Sequence, residues 1–301
     1  MKDSKREKPQ EAETESSVKG KVLAFLKELG IVFGAFLVLN NFVIASFLVP
    51  TGSMENEVMT GDLLFVNKFI YGGTSPRNIP FTNIRLPWFR VPAIRSVERG
   101  DVIVFVFPGY RDELTPEDFT FYLKRCVGLP GDTVQVVNRV LYVNGSPAPL
   151  PRNMHFSFPR IANPKAIDDR IFPKGAPWNE DNYGPLVIPK KGMVIPLNRA
   201  TFPQWETFIG REGHTVQAEG DAIRIDGKAV TEYTVQRDYL FGMGDHRDNS
   251  LDGRYWGFIP KENIVGTPLI VYWSWDTDIP IYSIFSKLAS VRLNRIGTLI
   301  R

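Results

Sequence analysis

The sequence predicts a mainly β protein: an antiparallel β body with a smaller irregular inserted lobe, preceded by one N-terminal transmembrane helix. Three observations carry this expectation. A long uncharged run, Leu29–Met54, stands near the start of the 301-residue chain. From residue 62 onward, short apolar runs bounded by Gly, Pro, Asn and Asp recur, which is the pattern of strands rather than helices. Gly (25 residues) and Pro (23 residues) together make up about 16% of the chain, above an average near ~12%, with no G-X-Y period to suggest collagen.

Residues 1–21 are polar, rich in Lys, Glu and Ser, and of a composition that stays solvated. Leu29–Val49 is long enough to span a bilayer core of ~30 Å, which takes about 20 helical residues. A cleavable leader would have a shorter apolar region of ~7–15 residues ending in an A-x-A-like site. This run is longer and ends Phe47-Leu48-Val49-Pro50, so a retained anchor is the expectation. Asn40 and Asn41 interrupt it and can hydrogen-bond a partner helix. Lys2, Lys5, Arg6, Lys8, Lys19, Lys21 and Lys27 precede the span, and the first basic residue after it is Lys68. The positive-inside rule then leaves the tail in the cytoplasm and the body outside. The expected organisation is a cytoplasmic tail at 1–21, an anchor at 22–49, an extracytoplasmic body formed by 50–147 and 212–301, and a lobe at 148–211.

Within the body, Val102–Phe107 is an apolar run of buried-strand length opened by Arg99-Gly100-Asp101. Phe119–Val127 and Thr133–Val137 flank a tight turn, Gly128–Asp132. Arg139–Val143 runs into Asn144-Gly145, a strong hairpin signal, and Ala222–Ile225 runs into Asp226-Gly227. A shift of 82 residues superposes the two hairpins, as a repeat or as two unrelated hairpins of similar length. Gly72–Val97, centred on Pro87-Trp88-Phe89, and the proline-spotted Ala148–Arg211 look like insertions. Ser283–Arg301 mixes apolar and basic residues; closure of the sheet is expected over an interfacial membrane helix.

Composition excludes several functions. A formal charge of +3 gives no nucleic-acid footprint. The single cysteine, Cys126, cannot form an internal disulfide, and no Cys/His cluster of zinc spacing exists. With three histidines (His155, His214 and His246) no metal site is expected, and each histidine is read as structural or exposed. Asp245, Asp248 and Asp252 do not match a calcium loop; a polar turn held by Asp–Arg pairs such as Asp252 with Arg254 is expected.

Two residues stand out chemically. Ser53, next to Gly52, is sterically open and lies four residues past Val49, but a serine hydroxyl needs a base. Lys124 stands in a strand otherwise dominated by apolar and aromatic residues. Burial there lowers a lysine pKa, because the ammonium form loses its solvation. Alternation puts Lys124 and Arg125 on opposite faces and leaves open which of them faces inward. Cys126 reads as a small buried filler.

Four separated blocks, Pro50–Met54, Arg99–Phe107, Tyr122–Asp132 and Gly242–Pro260, resemble in order and spacing those of type I signal peptidases, the Ser–Lys leader peptidases of bacterial membranes. The most specific are Tyr122-Leu123-Lys124-Arg125 and Gly244-Asp245-His246-Arg247-Asp248-Asn249-Ser250. The resemblance implies a membrane-bound serine endopeptidase that removes signal peptides from exported preproteins without cofactor or metal. It implies Ser53 as nucleophile and Lys124 as general base, Ser250 orienting the amine, and Thr51 with the Ser53 N–H forming the oxyanion hole. Tyr122, Asp252 and Arg254 are expected as structural neighbours of the site. The implied location is the bacterial cytoplasmic membrane, single-pass, in contact with phospholipid and with preprotein partners. Thr51, His246 and Asn56-Glu57 depart from residues common in such enzymes and bear on local loop packing. A self-cleaving repressor-type Ser–Lys protease would lack the span, and a non-catalytic anchored β scaffold would survive loss of Ser53 or Lys124.

Overall fold

The computed structural model describes residues 9–77 and 84–301. Helix α1 (Pro9–Val38) continues into a π turn, Leu39–Val43. Its Gly20–Val43 stretch, 24 residues with mean hydropathy 2.2, is long and apolar enough to cross a membrane. The uncharged run does not stay helical to Val49. Ile44–Leu48 forms strand β1, paired antiparallel with β2 (Asp62–Asn67), so the expected anchor boundary moves back to Val43. β-branched Ile44 and aromatic Phe47 suit a strand, and the partner edge is supplied by residues nearly twenty positions away. Neither asparagine meets a second helix here: Asn41 Nδ2 donates to the Leu37 carbonyl at 2.8 Å, and the Asn40 carbonyl accepts from Lys68 Nζ at 3.1 Å.

The remaining strands follow in chain order: β3 (Val102–Val106), β4 (Phe121–Gly128), β5 (Thr133–Val137), β6 (Val140–Val143), β7 (Ser146–Pro147), β8 (Tyr183–Val187), β9 (Val194–Pro196), β10 (Val216–Glu219), β11 (Ala222–Ile225), β12 (Lys228–Val230), β13 (Glu232–Thr234), β14 (Tyr239–Met243), β15 (Ile259–Pro260) and β16 (Ile264–Ser274). The main sheet has seven strands in the order β1-β2-β16-β3-β4-β14-β15, and every pairing in it is antiparallel. Both faces of its centre are covered. Along β3, Val102 and Val104 pack with Leu64, Val66 and Val271, while Ile103 and Phe105 pack with Trp256 and Ile259. The period-two alternation of side chains makes this possible.

A four-stranded sheet, β7-β6-β5-β8, and two smaller ones, β10-β11-β12 and β13-β9, build the second part. The two hairpins related by 82 residues become three-stranded meanders in different sheets. Both turn at positive φ: Asn144 (53°) with Gly145 (78°), and Asp226 (50°) with Gly227 (78°), as a type I′ turn requires. The segment expected as a smaller, irregular inserted lobe, 148–211, is joined to the rest by a shared sheet and core. Its β8 pairs with β5, and its Ile171, Phe172 and Ile195 share one core with Val134, Tyr239 and Phe258. Its second half is regular, with β8, β9 and helix α2 (Phe202–Arg211), which buries Phe202, Phe208 and Ile209. The prolines had hidden this order. Two further short helices are α3 (Gly253–Trp256) and α4 (Ile284–Ala289). The insertion Gly72–Val97 lies partly outside the described residues. The chain end closes along β16, where Val271 N–H donates to Thr298 O and Ile300 N–H to Leu269 O, and the Arg295 guanidinium reaches Asp62 at 2.6 Å.

Candidate active site

After β1 the chain doubles back through a turn. Val49 N–H donates to Asp62 O, Gly61 N–H donates to Val49 O, and Val58 N–H closes on Met54 O. Ser53 sits inside this turn, 9% exposed. Two bonds from the loop after β14 hold this turn: His246 N–H donates to Ser53 O at 3.2 Å, and Asp245 N–H donates to the Met54 side-chain Sδ at 3.3 Å. That approach requires Gly244. A Cβ there would lie 2.2 Å from Ser250 Oγ and 2.5 Å from Ser53 O, inside any tolerable contact.

Lys124 arrives from β4, where it pairs with Ile103 of β3. On the other side β14 pairs only with Arg125, Cys126 and Gly128, which leaves the edge of Phe121–Lys124 open. Lys124 Nζ donates to Ser53 Oγ at 2.5 Å, and the lysine is 4% exposed. Burial pushes its amine down from 10.5 to about 8. Asp252 and Asp245 pull it back toward the charged form, and Arg254 adds to the lowering. The loss of water around the ammonium ion outweighs the nearby carboxylates.

The alternation left open by the sequence resolves without a solvent-facing member. Arg125, on the opposite face, is also buried and donates to Asp245 through Nε and a terminal nitrogen, the latter at 2.6 Å. This pair straps β4 to the loop that holds Ser53. Asp252 accepts from Gly244 N–H (3.0 Å) and from Arg254 at 2.9 and 2.8 Å. Burial opposes its charge, yet the Arg254 guanidinium and these bonds hold the carboxyl below the usual range. The expected Asp252–Arg254 pair is therefore present, as the frame of the loop. Asp248 instead accepts from the Ser157 and Phe158 N–H groups. Tyr122 stacks on Phe107 with ring centroids 4.2 Å apart and lies 5.9 Å from Lys124 Nζ. Cys126 is fully buried, and burial pushes its thiol up to about 12, which suits a filler.

Ser250 differs from its expected role. Its Oγ is buried beside Gly244 and makes no hydrogen bond among the described residues, so no bond to the lysine amine is formed. The short Nζ–Oγ contact to Ser53 takes that position instead. Thr51 is exposed at the rim, and the Ser53 N–H is left out of the turn's backbone bonding. Ser53, Lys124, Thr51 and Ser250 open into one cleft of about 890 Å³, walled by apolar Phe47, Leu48, Met54, Leu64 and Val104.

Arg125 and Gly244 join the site without being expected there. Arg125's place next to Lys124 in a strand, with an aspartate-rich loop downstream, was the available signal. The histidines separate in space: His214 pairs with Asp226 at 2.7 Å, whereas His155 and His246 come together beside Glu55. This grouping, across about ninety residues of chain, was not visible in the spacing that led to the expectation of no metal.

The family model described as "Signal peptidase, peptidase S26" matches residues 22–175 and 231–273. Signal peptidase I of Pseudomonas aeruginosa is 31% identical over 252 residues, covering 79% of this chain and 68% of its own. The Buchnera aphidicola enzyme of the same name is 27% identical over 91% of this chain and 82% of its own. Helicobacter pylori signal peptidase I is 28% identical over 77% of this chain and 76% of its own. The crystal structure of a signal peptidase I from Enterococcus faecalis V583 aligns with 57% of this chain and 97% of its own at 20% identity and a TM-score of 0.27, too loosely to carry a structural argument.

Proposed function

Since the chain belongs to the signal peptidase, peptidase S26 family and is a serine peptidase hydrolase, we propose that Ser53 is its nucleophile and Lys124 its general base, cutting signal-peptide-bearing preproteins at the membrane. The observation that carries this reading is the 2.5 Å contact between Lys124 Nζ and Ser53 Oγ in a buried setting. The neutral amine takes the hydroxyl proton as Oγ attacks the scissile carbonyl, and the resulting ammonium returns it to the leaving amine. The Ser53 N–H, left out of the turn's backbone bonding, and the Thr51 hydroxyl at the rim of the same cleft are the donors assigned to the oxyanion; each such donor contributes about 3 kcal/mol. Ser250, whose hydroxyl has no partner among the described residues, lines the same cleft as Lys124. Asp252 and Arg254 hold the loop, and Tyr122 lines the cleft.

The open edge of Phe121–Lys124 offers backbone groups to an extended peptide, and the apolar walls between β1 and β4 receive its side chains. β1 follows the π turn that ends the apolar helix, and its neighbourhood exposes Leu48, Phe65, Phe121 and Leu269. The body therefore rests against the bilayer surface, with the lysine-rich tail inside and the cleft outside. Substrates that are themselves membrane-inserted then reach Ser53 just past the lipid. Turnover of a preprotein in detergent by the parent chain, Ser53→Ala and Lys124→Ala tests this. Loss of cleavage in both folded variants is expected; retained cleavage in either overturns the assignment.

A further inference from the structure

We propose that Glu55, His155 and His246 form a binding site for a first-row divalent cation of Zn²⁺ type, beside the Ser53 turn and separate from the Ser53–Lys124 pair. The site is assembled by backbone. His155 and His246 are joined by a single parallel β-bridge outside the strands, with His155 N–H donating to Asp245 O and Arg247 N–H donating to His155 O. Paired residues of adjacent strands carry their side chains on one face, and the two imidazole rings lie 4.1 Å apart. Glu55 comes from the nucleophile turn, two residues after Ser53.

The donor atoms converge. Glu55 Oε2 lies 3.1 Å from His246 Nδ1 and 4.0 Å from His155 Nε2, and one ligand atom from each residue falls within 4.8 Å of the others. Metal–ligand bonds of about 2.0–2.2 Å in a tetrahedron put ligand atoms roughly 3.4 Å apart. A closure on the order of 1 Å at the widest pair completes the set, and the partly exposed Glu55 and His155 have the freedom to make it.

The second observation is His246 itself. It is 4% exposed, and its buried Nδ1 makes no hydrogen bond among the described residues, the only charged group facing it there being the Glu55 carboxylate at 3.1 Å. Its other nitrogen, Nε2, stands 2.6 Å from Ser157 Oγ and 3.5 Å from Asp248 Oδ1. An Nε2–H donating to these oxygens leaves the Nδ1 lone pair free, and an orienting partner on the far nitrogen is the arrangement that metal-bound histidines use. His155 has the matching option, since its Nδ1–H can donate to the Asn153 carbonyl at 3.3 Å once the Asn56 amide, whose Nδ2 stands 3.1 Å away as a competing donor, turns its oxygen to the ring. With the proton on Nδ1, Nε2 is free to bind. Two imidazoles and one carboxylate are a zinc-type donor set, and the exposed Glu55 side leaves a fourth position to water. The bound ion would clip the nucleophile turn, the 153–158 segment and the loop after β14 together.

The full chain in detergent, stripped with a chelator, is titrated with Zn²⁺ against a chromophoric competitor, and Co²⁺ is used as a spectroscopic probe. One saturable ion per chain is expected, with a rise in Tm on Zn²⁺ addition and a tetrahedral Co²⁺ absorption band. Glu55→Gln and His155→Asn, at partly exposed positions, should each weaken Zn²⁺ binding at least tenfold, whereas His214→Ala should leave it unchanged. Absence of saturable Zn²⁺ binding, absence of a tetrahedral Co²⁺ band in the parent chain, or binding indifferent to both Glu55→Gln and His155→Asn would overturn the site. None of these readouts depends on peptidase activity.

Discussion

Lys124 holds an ionisable group where the fold would be steadier without one, and Lys124→Met exposes the cost. The folded amine titrates near 8 against 10.5 in its ordinary state. Between these values the unfolded chain carries a proton that the folded chain lacks, so stability rises with pH through that window. Below about 8 both states are protonated and the whole penalty is present. A depression of about 2.5 units is worth roughly 3 kcal/mol at 1.36 kcal/mol per unit. Methionine keeps a chain of similar length and volume, and loss of the bond to Ser53 Oγ gives back about 1 kcal/mol. Lys124→Met should therefore be more stable than the parent by about 2 kcal/mol at pH 7. This advantage should fade as pH rises from 8 to 10.5, while cleavage is lost throughout. Denaturant melts of both chains in detergent at pH 6.5 and above 10 measure the difference. A variant less stable than the parent at pH 7, or a gap that ignores pH, would refute the argument that burial lowers this amine.

Further outcomes follow from the same geometry. With neutral Lys124 as the reactive form, kcat/KM should fall about tenfold per pH unit below ~8; a flat profile down to pH 6 in stopped or continuous cleavage assays would contradict it. Asp252→Ala strands Arg254, which is 1% exposed, and should cost about 3–5 kcal/mol in denaturant melts. Glu219→Ala, which removes the exposed partner of Arg224, should cost less than about 1 kcal/mol; similar losses in the two would count against the framing role of Asp252. Cys126 should resist thiol reagents in the native chain and react once unfolded, and native alkylation that stops turnover would reverse its reading as a filler.

Local patterns in the sequence carried a good deal of this. The Val102–Phe107 run, the Asn144-Gly145 and Asp226-Gly227 turns and the long uncharged stretch near the start each reflect contacts between residues a few positions apart. Their structures are accordingly legible by eye. Ser53 and Lys124 were legible because a lysine among aromatics and a serine beside glycine, in blocks of known order, resemble a recognised pair. What no local pattern held was how far the helix runs, because Ile44–Leu48 becomes a strand only when β2 offers it an edge. The same holds for the second half of the 148–211 segment, whose β8 exists through its pairing with β5.

Amino-acid order alone thus determined the class of fold, the apolar helix and which side chains could do chemistry. Folding in three dimensions decided that Lys124 and Arg125 are both buried, that Ser250 turns its hydroxyl to no partner among the described residues, and that Glu55, His155 and His246 meet. The reason is physical. A pKa, an unmet hydrogen bond and a ligand cluster depend on solvent exclusion and on neighbours brought from about seventy to two hundred positions away, and one-dimensional spacing contains neither.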